Sequence, residues 1–161
     1  MTHRFKIRML TPQDVGLMRG LIETFASAFD EPQTYLANQP GDAYLSNLLG
    51  KPHFIAITAT ISEAVVGGLT AYQLDKFEQD RREIYIYDLA VDVRYRRHGI
   101  ATAAIEALRE EADRRDAYVI FVQADLEDAP AISLYEKLGL KETVHHFDIA
   151  PRCSISRSRD E

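Results

Sequence analysis

The chain has 161 residues, 46% hydrophobic and 27% charged, which excludes a wholly disordered or fibrous protein and fits one domain spanning residues 1–161. Lys+Arg 19 against Asp+Glu 25 leave a net charge of −6, which argues against nucleic acid as a partner, because phosphate binding needs a basic surface. A single cysteine, Cys153, removes any disulfide framework or Cys-based zinc cluster, and no run approaches the roughly 18 apolar residues of a membrane span. With no apolar signal core in MTHRFKIRML, a soluble cytoplasmic protein is expected.

Lys6–Met9 reads as an opening strand. Thr11-Pro12-Gln13-Asp14 reads as a helix start, with a threonine N-cap and proline at the first helical position. Val15, Met18, Leu21, Ile22, Phe25 and Phe29 then recur at helical spacing. Asp30–Pro40 reads as a polar, proline-punctuated loop, and Asp42–Leu49 as a second helix ending before Gly50. Phe54–Thr60 and Val65–Leu74 are β-branched and aromatic runs around a turn at Ser62–Glu63. Within the second, Gly67-Gly68 marks a bulge or a close backbone contact.

Asp75–Glu83 is a charged connection, and Ile84–Val91 is a nearly continuous apolar run that predicts a strand buried on both faces. Ala101, Ala104, Ile105, Leu108 and Ala112 stripe a helix over Ile100–Arg115. Tyr118–Ala124 reads as another buried strand. Ala131, Leu134, Tyr135 and Leu138 stripe a last helix stopped by Gly139. Val144–Ile149 predicts a closing strand, and Arg152–Glu161 a frayed tail. Strands followed by strand–helix–strand–helix–strand predict a mixed α/β sheet with helices on its faces.

Chemistry concentrates in Tyr87-Asp88-Leu89-Ala90-Val91-Asp92-Val93-Arg94-Tyr95-Arg96-Arg97-His98-Gly99-Ile100-Ala101-Thr102. A strand runs into a basic, glycine-containing loop that opens directly into a helix. The first N–H groups of such a helix lack internal partners and sit at the positive end of its dipole, so a phosphate there satisfies them. Gly99 permits close approach, and the arginines supply charge-assisted bonds. An ordinary strand–helix turn with solvated arginines is the plainer alternative. Neither a P-loop pattern nor G-x-G-x-x-G before a helix occurs, which argues against a P-loop NTPase or a dinucleotide enzyme. Acids gather at Asp30-Glu31, Glu78-x-Asp80 and Asp125-x-Glu127-Asp128; they suit a polycationic ligand, or are solvated loops. His145-His146 has no third ligand at metal spacing, so no metal is expected.

Arg96, Gly99 and Ala101 match the Q/R-x-x-G-x-G/A loop of the GNAT acyltransferases, and Ala131-Ile132-Ser133-Leu134-Tyr135-Glu136-Lys137-Leu138-Gly139-Leu140 resembles their later A-x-x-L-Y-x-K-x-G-F element. Two motifs in the right order are far more specific than either alone. Val66-Gly67-Gly68-Leu69, Lys76-Phe77-Glu78-Gln79, Glu83–Val91, Val122-Gln123-Ala124-Asp125 and His146-Phe147-Asp148-Ile149, with Tyr35 and Gln39-Pro40, further resemble the type I aminoglycoside 3-N-acetyltransferases. Asp30–Gln33 and Leu126-Glu127 depart from that pattern.

The resemblance implies the α/β (α+β) GNAT fold, a mixed central sheet of about six to seven strands flanked by about four helices. It also implies acetyl-CoA as cofactor, coenzyme A as product, and transfer of acetyl to the 3-amino group of 2-deoxystreptamine aminoglycosides such as gentamicin or sisomicin, by direct attack in a ternary complex. Backbone groups of Leu89, Ala90 and Val91 would take the pantetheine arm, one of them polarising the thioester oxygen for about 3 kcal/mol. Arg96, Arg97, His98, Gly99, Ile100, Ala101 and Thr102 would take the pyrophosphate.

Asp88 is the one charge in Ile84–Val91. It is the candidate to bind and deprotonate the amine, directly or through water, unless backbone N–H groups at a bulge account for it. Tyr135 holds the position the resemblance gives to the general acid, although it also lies on its helix's apolar stripe, where packing alone would explain it.

Candidate acceptor contacts are Glu31, Tyr35, Glu83, Tyr87, Asp125, Glu127, Asp128 and Asp148, with helix capping as the rival role for Asp128. A homodimer is expected from the resemblance alone. Fold does not choose the acceptor. A polyamine or a protein N-terminus is the alternative amine, and a non-catalytic acyl-CoA-binding module is the alternative class.

Overall fold

The computed structural model describes residues 4–152, in two units, Met1–Ala124 and Asp125–Glu161; Cys153 and the tail beyond it lie outside the described residues. The first unit is organised by a hairpin. Phe54–Ile61 (β2) and Ala64–Asp75 (β3) pair antiparallel. Ser62 (φ 48°) and Glu63 (φ 72°) supply the two left-handed residues that a two-residue turn needs. Lys6–Met9 (β1) pairs with β2, and Arg82–Val91 (β4) pairs with β3, both antiparallel; Ala117–Val122 (β5) joins β4 in parallel. The sheet order is β1-β2-β3-β4-β5.

Two helices cover the two faces. Val15–Ala28 (α1) packs on β3 and β4 through Met18, Leu21, Ile22 and Phe25, the stripe read in the sequence. Ile100–Arg114 (α4) crosses from β4 to β5 and buries Ile100, Ala104, Ile105, Leu108 and Ala112 on the other face. Phe25, Leu21, Ile57, Leu69, Ile84 and Leu108 are all but inaccessible, each gaining about 1.5–3 kcal/mol from burial. Asp42–Leu49 (α3) packs beside α1. Gly68 explains the glycine pair: a Cβ there would lie 2.2 Å from the Ile57 carbonyl oxygen and 2.8 Å from Leu21. The close backbone contact is real, and an irregularity in the β2–β3 register beside Gly67 adds the bulge.

Several sequence expectations need correction. Helix α1 begins at Val15 rather than after Thr11, because the Asp14 carboxylate turns back to accept from the Thr11 amide (2.8 Å), the Thr11 hydroxyl (2.9 Å) and Arg8 (2.7 Å). The segment Asp30–Pro40 contains a short helix, Pro32–Leu36 (α2), started by the proline. Strand β4 is not buried throughout: Tyr87 is 62% exposed. Among the described residues strand β5 pairs on one side only, and Tyr118 is half exposed. The described residues hold five strands and five α-helices.

In the second unit, Ala129–Glu136 (α5) is capped by Asp128, whose carboxylate accepts from the Ala131 amide at 3.1 Å. It closes where the Gly139 amide reaches the Tyr135 carbonyl at 2.9 Å. Val144–Ile149 is not a strand. It pairs with no ladder among the described residues, and Val144, Phe147 and Ile149 are exposed. A strand exists only against a partner. No described helix is long and apolar enough to cross a membrane.

Candidate active site

The site begins with one extra residue in β4. Thr70 faces Asp88 and Ala71 faces Ile86, so Tyr87 has no counterpart on β3 and forms a β-bulge. By the two-residue period of a strand, Asp88 would otherwise follow Ile84 and Ile86 onto the α4 face. The bulge moves it to the opposite face, the one shared by Thr70, Tyr72 and Tyr85. The lone charge of Ile84–Val91 therefore looks toward α1 and α2.

There it borders a cavity of about 170 Å³ lined by Met18, Ile22, Phe25, Tyr35, Leu48, Phe54, Thr70, Tyr72, Tyr87 and Asp88. The Tyr35 hydroxyl donates to Asp88 Oδ2 at 3.0 Å. A side chain 53 residues away, rather than the backbone of the bulge, thus satisfies the carboxylate. Burial pushes the Asp88 carboxyl above its ordinary range, the Tyr35 bond pulls against this, and the negative charge of Glu31 adds to the rise. Burial and the Asp88 charge push the Tyr35 phenol far up, so Tyr35 stays a donor. Tyr87 stands edge-on to both Tyr72 and Tyr85 (5.9 Å each), and Tyr85 stacks on Phe121 at 4.8 Å. This row of rings runs along the sheet beside the carboxylate.

Tyr72, Tyr85, Phe54 and Thr70 were not among the sequence candidates. The turn at Ser62–Glu63 fixes Phe54 opposite Tyr72, so hairpin register was the signal able to find two of them.

The basic loop follows β4 directly at its C-terminal end, just past Asp88. The β4–β5 ladder stops at the Ile86–Val122 pair, while the β3–β4 ladder runs on to Val91. Leu89, Ala90 and Val91 therefore pair on the β3 side alone within this unit. Asp92 caps a single 3-10 turn, Val93–Tyr95, and binds Arg94 at 2.6 Å. Arg96 Nε donates to the Val91 carbonyl at 3.1 Å, which pins the loop, and His98 Nδ1 lies 2.8 Å from the Arg96 carbonyl. Arg97 (φ 62°) and Gly99 (φ 80°) both take left-handed backbone, and the turn delivers the chain into α4. Gly99 is the N-cap and offers no side-chain acceptor, so the first-turn amides of Ile100, Ala101 and Thr102 face outward uncapped. That donor set, with Arg97 beside it, fits an anionic pyrophosphate, and the one-sided β4 edge fits an amide-bearing arm.

The remaining candidates divide. Glu31 precedes α2, close enough for its charge to act on Asp88 and Tyr35. Glu83 is already engaged, by the Tyr118 hydroxyl and by Lys76 at 3.7 Å. In the second unit, the Asp128 carboxylate caps α5, Asp148 pairs with His146 at 3.1 Å, and Asp125 and Glu127 are exposed. Burial, with the Asp128 charge, pushes the Tyr135 phenol up to about 12, so it is protonated at neutral pH. Among the described residues no cluster of His, Cys, Asp or Glu is arranged to hold a metal ion.

The profile of the acetyltransferase (GNAT) family matches residues 19–140. An aminoglycoside acetyltransferase from an uncultured soil metagenomic sample is 53% identical and superposes with a TM-score of 0.90 over 92% of this chain and 99% of that one. A second such enzyme from soil metagenomic DNA, solved in complex with sisomicin, is 30% identical, with a TM-score of 0.85 over 92% and 97%. The ribosomal protein bS18-alanine N-acetyltransferase of Escherichia coli is 29% identical over 75% of this chain and 71% of its own.

Proposed function

Because this chain belongs to the GNAT acetyltransferase family, we propose that it acetylates the 3-amino group of 2-deoxystreptamine aminoglycosides such as gentamicin or sisomicin. The observation that carries the reading is the Asp88 carboxylate, half-buried at a tyrosine-lined cavity with Glu31 close by. Two anionic side chains beside aromatic faces suit a polycationic ring amine better than a neutral peptide. Likeness to two aminoglycoside acetyltransferases, one bound to sisomicin, supports the same acceptor.

Acetyltransferases of this family use acetyl-CoA, which supplies an acetyl group already activated as a thioester. On this chain, the amides of Ile100, Ala101 and Thr102 with Arg97 would hold its pyrophosphate, and the free side of Leu89–Val91 its pantetheine arm. Asp88 attracts the ammonium and orients it. Its raised pKa brings it nearer to a useful base than an ordinary carboxylate, and a water can carry the proton between them. Tyr87, exposed at the bulge, would lie against the sugar. Tyr135, protonated well past neutral pH, has the proton that a departing thiolate needs. Asp125 and Glu127, exposed in the second unit, are the further acidic candidates for an ammonium.

A second acceptor, a protein N-terminal amine, draws on the likeness to the bS18-alanine enzyme. Thiol release from acetyl-CoA with gentamicin, kanamycin, spermidine and an N-terminal peptide separates the two. Gentamicin should turn over fastest, with acetate on its 3-amino group. Turnover on the peptide or spermidine alone would overturn the aminoglycoside reading and leave the family standing.

A further inference from the structure

Resting on the reading of Asp88 as the acceptor's carboxylate, we propose that Tyr35 is a positioning residue: its hydroxyl fixes the orientation of Asp88 and favours the charged form, which makes the short helix α2 part of the catalytic apparatus. Among the described residues Tyr35 is the one side chain that donates to Asp88, at 3.0 Å. Its own geometry is held from three directions. The ring lies 6.0 Å from both Phe25 and Phe29, and its amide bonds to the Glu31 carbonyl at 3.2 Å. A phenol clamped in this way gives a hydrogen bond at little entropic cost, and a bond to an ionised acceptor is stronger than one between neutral groups.

Among the described residues no other group does this work. The elements around Asp88 present Met18, Ile22 and Phe25 from α1, Thr70 and Tyr72 from β3, Tyr85 and Tyr87 from β4, and Glu31 ahead of α2. None is a cation. Glu31 is an anion and opposes ionisation of Asp88, as burial does. Without the Tyr35 hydroxyl, both of those influences would act unopposed, and the carboxylate would lose the bond that selects its rotamer. A tyrosine that merely packs against Phe25 and Phe29 would have no effect on the titration of Asp88.

The test is a carboxyl 13C NMR titration of Asp88 in the wild type and in Tyr35→Phe, with Asp88→Asn to assign the resonance. The phenylalanine keeps the ring and removes the donor. The Asp88 midpoint should rise by about one pH unit. The acid limb of kcat/KM should move with it, so that the loss is about tenfold greater at a pH on that limb than on the plateau. An unmoved midpoint in a folded variant overturns the proposal, and so does an activity loss equal at every pH. Should Tyr35→Phe fail to fold, site-specific 3-fluorotyrosine at position 35 is the alternative. Its more acidic hydroxyl should lower the Asp88 midpoint, and no shift there counts equally against the proposal. The titration needs no acceptor, so it stands apart from whether gentamicin is the substrate.

Discussion

Two aspartates show how differently this fold treats the same side chain. Asp14, 8% exposed, accepts from the Thr11 amide and hydroxyl and from Arg8. Burial alone would raise its pKa, but these donors outweigh it and hold the carboxyl below its ordinary range. A depressed folded pKa means stability that is present above the unfolded value, near 4, and lost as pH falls through the folded value. Asp14→Asn should therefore lower stability at pH 7 by about 1–3 kcal/mol, and the gap to wild type should close as the pH drops below about 4. Melting temperatures across pH 3–7 measure it; a gap that stays constant would contradict the assignment. Asp88 has the opposite sign. Its folded pKa is raised, so its ionisation costs stability as pH rises through the window between unfolded and folded values. On the proposed reading, that cost is borne at the group that meets the ammonium.

At the scale of elements, the decisive features are the bulge in β4 and the turn that feeds α4. Gly99 has φ 80° and open space where a Cβ would stand. Gly99→Ala should therefore cost only about 1–2 kcal/mol of stability, the left-handed strain alone. It should weaken coenzyme A binding by tenfold or more, because the added methyl stands at the mouth of the uncapped amides. Calorimetric titration beside a thermal melt reads both, and unchanged affinity would argue that the cofactor lies elsewhere. The basic loop and its helix were legible in the sequence, since glycine placement and α4's apolar stripe are local signals. The bulge was not. A contiguous apolar run looks the same with or without an extra residue, and only pairing with β3 reveals that Asp88 changes face. Tyr35 was legible as a candidate, but its hydrogen-bond partner, 53 positions on, was not. For Asp128 the sequence offered both a cap and a ligand role, and the cap is what α5 uses. Val144–Ile149 was misread because a strand-like composition describes a capacity to pair, not a partner.

At the scale of the whole molecule, the sheet of the first unit separates two chemical environments along one strand. The β4 residues on the α1 side reach the aromatic cavity, and the C-terminal end of β4 leads into the basic loop and the α4 amides. On the proposed reading, the amine acceptor would lie at Asp88 and the anionic donor would begin at Val91, three positions on. The central claim is that Asp88 serves the acceptor and not the donor. The most direct measurement is the turnover of Asp88→Asn on gentamicin together with its dissociation constant for acetyl-CoA. The account predicts that kcat falls by about 100-fold or more, while acetyl-CoA binds as it does to wild type. Turnover within a few-fold of wild type would contradict it.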